Sequence, residues 1–216
     1  MTGIALSRAH FPVSTLGPGR RLGLWFQGCS IRCPGCVSMD TWAPGTASTS
    51  VSELLTLLGP TLDKADGITV TGGEPFDQPE ALEELLRGIR TRTGADVLVY
   101  SGYPFEALEP SLRAMEGLVD GLISDPFERE TPQTLALRGS DNQRLRLLTP
   151  LGWERFATFE RPLGPEDHAL DAVFDDGTGE VFFVGIPRRG DMRRLTTLLA
   201  ANGHAASTTE DRRPSP

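Results

Sequence analysis

Apolar and polar residues along the chain form short runs that predict strands and helices in alternation. Apolar runs bounded by Gly, Pro or Asp predict strands over 21–26, 67–71, 96–100 and 118–124. Helical spacing of apolar residues predicts helices over 51–58, 77–89 and 105–115. Residues 1–20 show little periodicity and suggest one short edge strand. This order predicts an α/β protein with a parallel sheet and right-handed crossovers.

Two of the predicted helices begin with capping signals. Ser50, followed three residues later by Glu53, is typical of a capping box. Asp77 and Glu80 repeat that spacing, with Pro79 in the first turn. We therefore expect Asp77 to cap the second helix.

The C-terminal third has a different pattern. Residues 128–165 give no clear prediction. Apolar runs at 169–174 and 180–186 flank the turn-forming string 175–179, which predicts a β-hairpin, and 192–200 predicts a short amphipathic helix. We divide the chain into a core (1–150), a C-terminal extension of hairpin and helix (151–204) and a polar tail (205–216) expected to be disordered.

Composition and charge narrow the classes of function. The 216 residues carry a formal net charge of -8, which argues against a nucleic-acid-binding protein because that function needs clustered Lys and Arg. The apolar runs are too short to span a membrane, and the first residues do not resemble a signal peptide. We therefore expect a cytoplasmic protein with no membrane or nucleic-acid partner.

All three cysteines fall within one short string: Cys29, Cys33 and Cys36. An odd number of clustered cysteines does not suit a disulfide framework. The remaining interpretations are a metal site and buried structural thiols. Structural zinc needs four protein ligands, so three thiolates favour a four-iron cluster with one iron left open for another ligand. Zinc and inert thiols remain the alternatives.

A glycine-rich string ends the second predicted strand. Gly72 and Gly73 let backbone approach a ligand closely, and the Glu74 carboxylate can accept hydrogen bonds from an ammonium group. The alternative is a plain turn. Ser101 follows the third strand and Asp125 the fourth, so these residues meet at the strand ends where α/β proteins bind ligands.

Together these strings resemble the radical S-adenosylmethionine (SAM) superfamily. The cysteine loop and Gly72-Gly73-Glu74 carry this resemblance. Within this superfamily, the chain is similar to activating enzymes of anaerobic ribonucleotide reductase. Four strings carry this similarity: 24–29, 41–42, 100–103 and 138–144. The resemblance implies a partial (β/α) barrel of the radical SAM type. It also implies a [4Fe-4S] cluster on the cysteines, SAM on the open iron, and a 5′-deoxyadenosyl radical that takes a hydrogen atom from a glycine of a partner.

The resemblance also suggests roles for single residues. Five residues are expected to bind SAM: Gly72, Gly73, Glu74, Ser101 and Asp125. For Ser101 and Asp125 the alternative role is that of a strand-end turn or a cap. The string at 138–144 is expected to contact the partner or substrate through three polar side chains, those of Arg138, Asn142 and Gln143. Its alternative is a loop held by its own polar side chains.

Two further functions stay open. A radical SAM enzyme can instead modify a small molecule or a peptide, with the hairpin closing its pocket. A non-catalytic iron–sulfur or zinc protein is the third hypothesis.

The activating enzymes that the chain resembles end soon after the string at 138–144, whereas residues 148–216 follow here. We interpret these additional residues as a docking surface, a lid or a substrate-specific element. For an activating enzyme, the partners are a glycyl radical enzyme and a flavodoxin- or ferredoxin-type electron donor.

Overall fold

The fold is built on a central sheet with helices against it, and the computed structural model describes residues 2–47, 49–174, 177, 179 and 181–205. The strands are β1 (Gly3–Ile4), β2 (Leu6–Val13), β3 (Arg21–Phe26), β4 (Thr49–Ser50), β5 (Gly67–Gly72), β6 (Asp96–Tyr100), β7 (Gly121–Ser124), β8 (Arg144–Leu147), β9 (Leu170–Phe174) and β10 (Val181–Gly185). The helices are α1 (Val51–Leu62), α2 (Pro79–Arg92), α3 (Phe105–Ala114), α4 (Pro150–Phe156) and α5 (Asp191–Ala201).

The central sheet has the strand order β2-β3-β5-β6-β7-β8. β3, β5, β6 and β7 run parallel, while β2 and β8 are antiparallel to their neighbours at the two edges. The α/β class and the parallel core are confirmed, and the sheet as a whole is mixed. The four parallel strands are buried, as expected for strands connected by helical crossovers.

The apolar core lies between the sheet and α1–α3. Alternate β3 residues Leu22, Leu24 and Phe26 point to this side because side chains alternate along a strand. The helices supply the opposite surface with residues spaced three or four apart, such as Leu82, Leu85, Leu86 and Ile89 of α2. This packing holds the carboxyl ends of β3, β5 and β6 in fixed relative positions.

The capping prediction is confirmed for α1 and wrong for α2. The Ser50 hydroxyl accepts from the Glu53 amide and the Glu53 carboxylate accepts from the Ser50 amide. α1 continues past its predicted end to Leu62, which is fully buried. α2 begins instead after Gln78, without a side-chain cap, because Asp77 lies in a short 3₁₀ turn over Pro75–Asp77 and bonds elsewhere.

The strand ends also differ from the prediction. Residues 1–20 hold two strands rather than one, and β2 is eight residues long. The strand predicted over 118–124 is confined to β7, because residues 118–120 form the approach to it, with the Asp120 amide bonded to the Val97 carbonyl.

The C-terminal extension packs against the other side of the sheet. The predicted hairpin is confirmed as the antiparallel pair β9–β10; four residues of its turn, 175, 176, 178 and 180, lie outside the described residues, as does the predicted tail from 206 onward. Val184 is buried against Val13, Leu16 and Trp25. α4 also joins the sheet, where Phe156 packs with Leu98 and Ile123. The division at residue 150 stays a prediction.

No helix among the described residues has the length and apolar character needed to cross a membrane.

Candidate functional site

A cavity of about 530 Å³ lies where β3, β5 and β6 end. This volume is in the range of sites for small molecules and cofactors. The residues that line it include the predicted cysteines and strand-end residues: Cys29, Cys33, Cys36, Gly72, Gly73, Glu74, Ser101 and Gly102. The fold therefore brings together three strings that are separated along the chain.

The cysteine loop is shaped by backbone hydrogen bonds to the segment that follows it. The Gly28 amide donates to the Thr41 carbonyl at 2.8 Å, and the Cys29 amide to the Trp42 carbonyl at 3.3 Å. Within the loop, the Cys36 amide donates to the Cys33 carbonyl at 3.1 Å. Gly28 and Gly35 have φ values of 100° and 77°, which glycine adopts readily. The thiols are half-buried and face one cavity.

Asp77 fixes the start of this loop, a role that sequence reasoning missed. Its carboxylate accepts from the Ser30 amide at 2.8 Å and from the Ser30 hydroxyl at 2.9 Å. The Tyr103 hydroxyl donates to the same carboxylate at 2.8 Å. A carboxylate just before a helix fits a cap equally well, so the sequence holds no signal that separates the two roles.

Gly72 and Gly73 join the end of β5 to the root of the cysteine loop. The Gly73 amide donates to the Phe26 carbonyl and the Glu74 amide to the Gly28 carbonyl, both at 2.8 Å. A Cβ at Gly73 would lie 2.0 Å from the Gly28 oxygen, and a Cβ at Gly72 would lie 2.5 Å from the Phe26 nitrogen. Gly72 also has a φ of 102°. Only glycine fits both positions.

Glu74 is buried at 1% exposure, and its carboxylate accepts three hydrogen bonds. The donors are the Phe76 amide at 3.0 Å, the Ser101 hydroxyl at 2.9 Å and the Gly102 amide at 2.8 Å. Burial raises the pKa of Glu74 to about 7, although these hydrogen bonds act in the opposite direction. The carboxylate therefore joins the ends of β5 and β6 at the wall of the cavity.

The three thiols fit a cluster better than a single ion. Among the described residues, no group of three or more His, Cys, Asp or Glu side chains is arranged to hold one metal ion. In a four-iron cluster each thiolate binds a different iron, and three cysteines around one cavity supply that donor set. Burial raises the pKa of all three thiols, that of Cys36 to about 11. Metal binding to the protein therefore displaces protons from them.

The remaining predicted residues are bonded mainly to their own loop. The Asp125 carboxylate pairs with Arg144 at 2.7 Å. Arg138 is buried and forms an ion pair with Glu160. The Asn142 amide donates to the Pro126 carbonyl at 2.8 Å, and the Gln143 side chain bonds to the Gly139 amide and the Asp125 carbonyl. The contacts of Asn142 and Gln143 lie within this loop, whereas Arg138 reaches Glu160 in the extension. Gln143 also lines the cavity.

The extension supplies one wall of the cavity, which the sequence did not reveal. Residues 185–190, from the last residue of β10 to the start of α5, line it together with Met192 and Arg193. We call residues 185–190 the strap. Gln133 donates to the Pro187 carbonyl at 3.2 Å, and Arg189 donates to the carbonyls of Glu128 and Thr131. The strap therefore connects the hairpin to the β7–β8 connection.

Comparison with known proteins agrees with this geometry. The model of the family described as "4Fe-4S single cluster domain" matches residues 15–146. The anaerobic ribonucleoside-triphosphate reductase-activating protein of Enterobacteria phage T4 is 32% identical over 145 residues, covering 64% of this chain and 90% of the relative. The protein of that name from Escherichia coli K12 is 31% identical over 144 residues, covering 62% and 93%.

A pyruvate formate-lyase-activating enzyme of Clostridium pasteurianum is also similar, at 34% identity over 102 residues, covering 45% of this chain and 43% of the relative. The family model covers the cysteine loop and the glycine-rich strand end that meet in the cavity. The chain therefore belongs to the 4Fe-4S single cluster family and, within the radical SAM superfamily, to the activating proteins of anaerobic ribonucleoside-triphosphate reductase.

Proposed function

We propose that this protein is an activating enzyme that cleaves SAM reductively and installs a glycyl radical on a partner such as an anaerobic ribonucleotide reductase. The observation that carries the proposal is the meeting of three thiols with Gly72, Gly73 and Glu74 in one cavity of cofactor size. The relatives named as activating proteins support the choice of partner.

Cys29, Cys33 and Cys36 would hold the cluster and leave one iron without a protein ligand. When bound, the cluster would supply the electron for the reductive cleavage of SAM, the chemistry that leads to hydrogen-atom abstraction from the substrate. The chain itself would bind and orient the cofactors. A flavodoxin- or ferredoxin-type protein is the proposed electron donor.

The strand ends would hold SAM beside the open iron. Gly72 and Gly73 expose backbone to the cavity without side chains, and Glu74 places a buried carboxylate in its wall. Ser101 stands next to Glu74 and keeps it in position by donating a hydrogen bond. The placement of these residues at the carboxyl ends of parallel strands supports the partial (β/α) barrel of the radical SAM type.

Two other groups of predicted residues would act indirectly. The pairing of Asp125 with Arg144 supports a role in joining β7 to β8 at the edge of the site. The contacts of Arg138, Asn142 and Gln143 support a role in shaping the loop that carries Gly139 and Gln143 into the cavity wall. Both groups then influence SAM or partner binding through the shape of the site.

One observation favours a second candidate, a radical SAM enzyme that modifies a small molecule or a peptide. The strap adds a wall to the cavity that holds the cysteines. A site covered in this way suits a small substrate.

An anaerobic assay tests the proposal. The protein is reconstituted with iron and sulfide and mixed with SAM and dithionite, and 5′-deoxyadenosine is measured against a Cys33→Ala variant. We expect the wild type alone to form the product. A four-iron cluster that yields no 5′-deoxyadenosine, with or without partner, would refute the proposed chemistry.

The partner is tested in a second step. An anaerobic ribonucleotide reductase is added, and its glycyl radical is measured by electron paramagnetic resonance. A radical that appears only with the complete mixture supports the activating function. SAM cleavage without any glycyl radical on the reductase would favour the small-molecule alternative.

A further inference from the structure

The strap is the part of the cavity wall that lies outside the region matched by the family model. The family model ends at residue 146, and the matched activating proteins align with less than two thirds of this chain. Residues 185–190 lie beyond that end, yet they line the same cavity as the three cysteines. The extension therefore adds a wall to a site whose remaining walls come from the family core.

The strap runs between the two edge regions of the sheet. The strand order leaves β2 and β8 as unpaired edges among the described strands. The hairpin is attached near β2, where Asp171 accepts from the Ser14 amide at 2.6 Å. The strap then reaches the β7–β8 connection through Gln133 and Arg189. It thus crosses from one open edge to the other, past the cysteine loop.

The two ends of the strap are attached to the rest of the protein by different kinds of contact. At the hairpin end, Val184 is buried at 3% exposure among Val13, Leu16 and Trp25. At the far end the contacts are hydrogen bonds and one ring contact: Arg188 donates to the carbonyls of Gly164 and Asp167, and the Gln133 bond to Pro187 is partly buried. Arg189 donates to the carbonyls of Glu128 and Thr131 at 3.2 Å and 3.0 Å, and its guanidinium lies 4.8 Å from the centre of the Phe127 ring. The buried end is the stronger attachment.

Glycines with positive φ stand at both ends of the strap. Gly185 has a φ of 144° and Gly190 a φ of 86°. A Cβ at Gly185 would lie 2.2 Å from the Ala169 carbonyl oxygen, so that end is closely packed, whereas at Gly190 nothing lies within 4 Å. The hairpin end is therefore the fixed end of the strap, and the contact at Arg189 is the releasable one.

The size of the cavity bears on which substrates can reach it. A volume of about 530 Å³ suits one small-molecule ligand. A polypeptide segment that carries a glycine to the same site needs additional room, and the strap is a wall that Arg189 holds at one end through two hydrogen bonds and a ring contact.

We propose that the strap is a gate, with Arg189 as its latch, that controls the access of a polypeptide substrate to the cluster site. The proposal rests on the proposed function for the identity of that substrate, the glycine-bearing segment of a glycyl radical enzyme. In this arrangement Arg189 is a specificity-determining residue. With the latch closed the cavity holds small molecules, and with it open the cavity also admits a polypeptide.

The test measures access to the cysteines in the full-length, metal-free protein under anaerobic conditions. The chain has three cysteines, and all three line the cavity, so their labelling reports on this site. Rates are compared for iodoacetamide, which is small, and for a polyethylene-glycol maleimide, which is bulky. Neither SAM nor a partner is present, so a failure of the proposed function does not affect the result.

We expect Arg189→Ala to speed labelling by the bulky reagent about tenfold, since two hydrogen bonds and a ring contact are lost. Iodoacetamide labelling should change less than about twofold. Gln133→Ala, which removes the bond to the Pro187 carbonyl, should shift the bulky rate in the same direction. Arg113→Ala is the matched control, because Arg113 is an exposed arginine of α3 that pairs with Glu109 of the same helix.

Two results would overturn the gate. One is bulky-reagent labelling at the wild-type rate in both Arg189→Ala and Gln133→Ala. The other is an equal acceleration of both reagents, which would mean that the cysteine loop itself has loosened. Thermal melting followed by circular dichroism shows whether each variant keeps its fold.

Discussion

At the scale of single residues, the close approach of Gly73 to the Gly28 carbonyl connects the glycine-rich end of β5 to the cysteine loop. We expect Gly73→Ala to lose most of its iron after reconstitution, because its Cβ would lie 2.0 Å from the Gly28 oxygen and would push the cysteine loop away. Iron and sulfide per chain measure this effect. Gly94→Ala is the matched control, since nothing lies within 4 Å of a Cβ there. Equal iron content in the two variants would contradict the prediction.

Glu74 makes the stability of the metal-free protein depend on pH. Its pKa rises from 4.5 to about 7 on folding because the carboxylate is buried. Between these values the unfolded chain has lost a proton that the folded chain keeps. The free energy of unfolding therefore falls as pH rises, by ~3 kcal/mol in total from this group.

Glu74→Gln removes the titrating group and should remove that slope. Urea unfolding of the metal-free wild type and variant between pH 4.5 and neutrality tests this, and the difference between the two curves is the quantity of interest. Parallel curves would show that Glu74 is not the group responsible.

The spacing of residues in the sequence identified some of the residues of the site and not the others. The cysteines and Gly72-Gly73-Glu74 could be found because their spacing is specific and each string follows a predicted strand. The role of Asp77 could not be found, because its contacts to Ser30 and Tyr103 join residues distant in sequence. Nor does a sequence show that Arg138 is buried, since arginine is mostly exposed in proteins.

At the scale of elements, a buried ion pair joins the amino ends of the strands. Arg21 at the start of β3 donates to Asp96 at the start of β6 at 2.7 Å, and both side chains are fully buried. Arg21 also bonds to the Thr69 hydroxyl of β5. The pair therefore connects three parallel strands at the end opposite the cavity.

Removing one member of this pair should lower the free energy of unfolding substantially. Asp96→Asn leaves Arg21 buried without its counter-charge, and we expect a loss of about 3–5 kcal/mol in the free energy of unfolding. Asp63→Asn serves as a control, because Asp63 pairs with Arg92 on the exposed surface and its loss should change the free energy of unfolding far less. Urea unfolding at neutral pH measures both. Similar losses in the two variants would argue against a special role for the buried pair.

The elements that the sequence predicted are those with a strong apolar pattern. β3, β5 and β6 are buried on both faces and therefore have continuous apolar runs. β8 alternates arginine and leucine at the sheet edge, and α4 is a short helix, so neither gave a clear signal. Edge strands carry less apolar sequence because only part of their surface is buried.

At the scale of the whole molecule, the sheet and its helices could be predicted from local periodicity, while the arrangement of the extension could not. The hairpin itself followed from its turn-forming residues. Its position against Val13 and Trp25, and the course of the strap along the cavity, depend on contacts between the two ends of the chain. Such contacts leave no local pattern in a single sequence.

The order of these parts along the chain has a consequence for biosynthesis. β3, β5, β6 and the cysteine loop precede β8, whereas the hairpin and strap follow it. Protein synthesis proceeds from the N-terminus, and folding can begin before it is complete. The cysteines are therefore translated, and can meet an iron–sulfur donor, at a stage when the ribosome has not yet made the segment that later covers them.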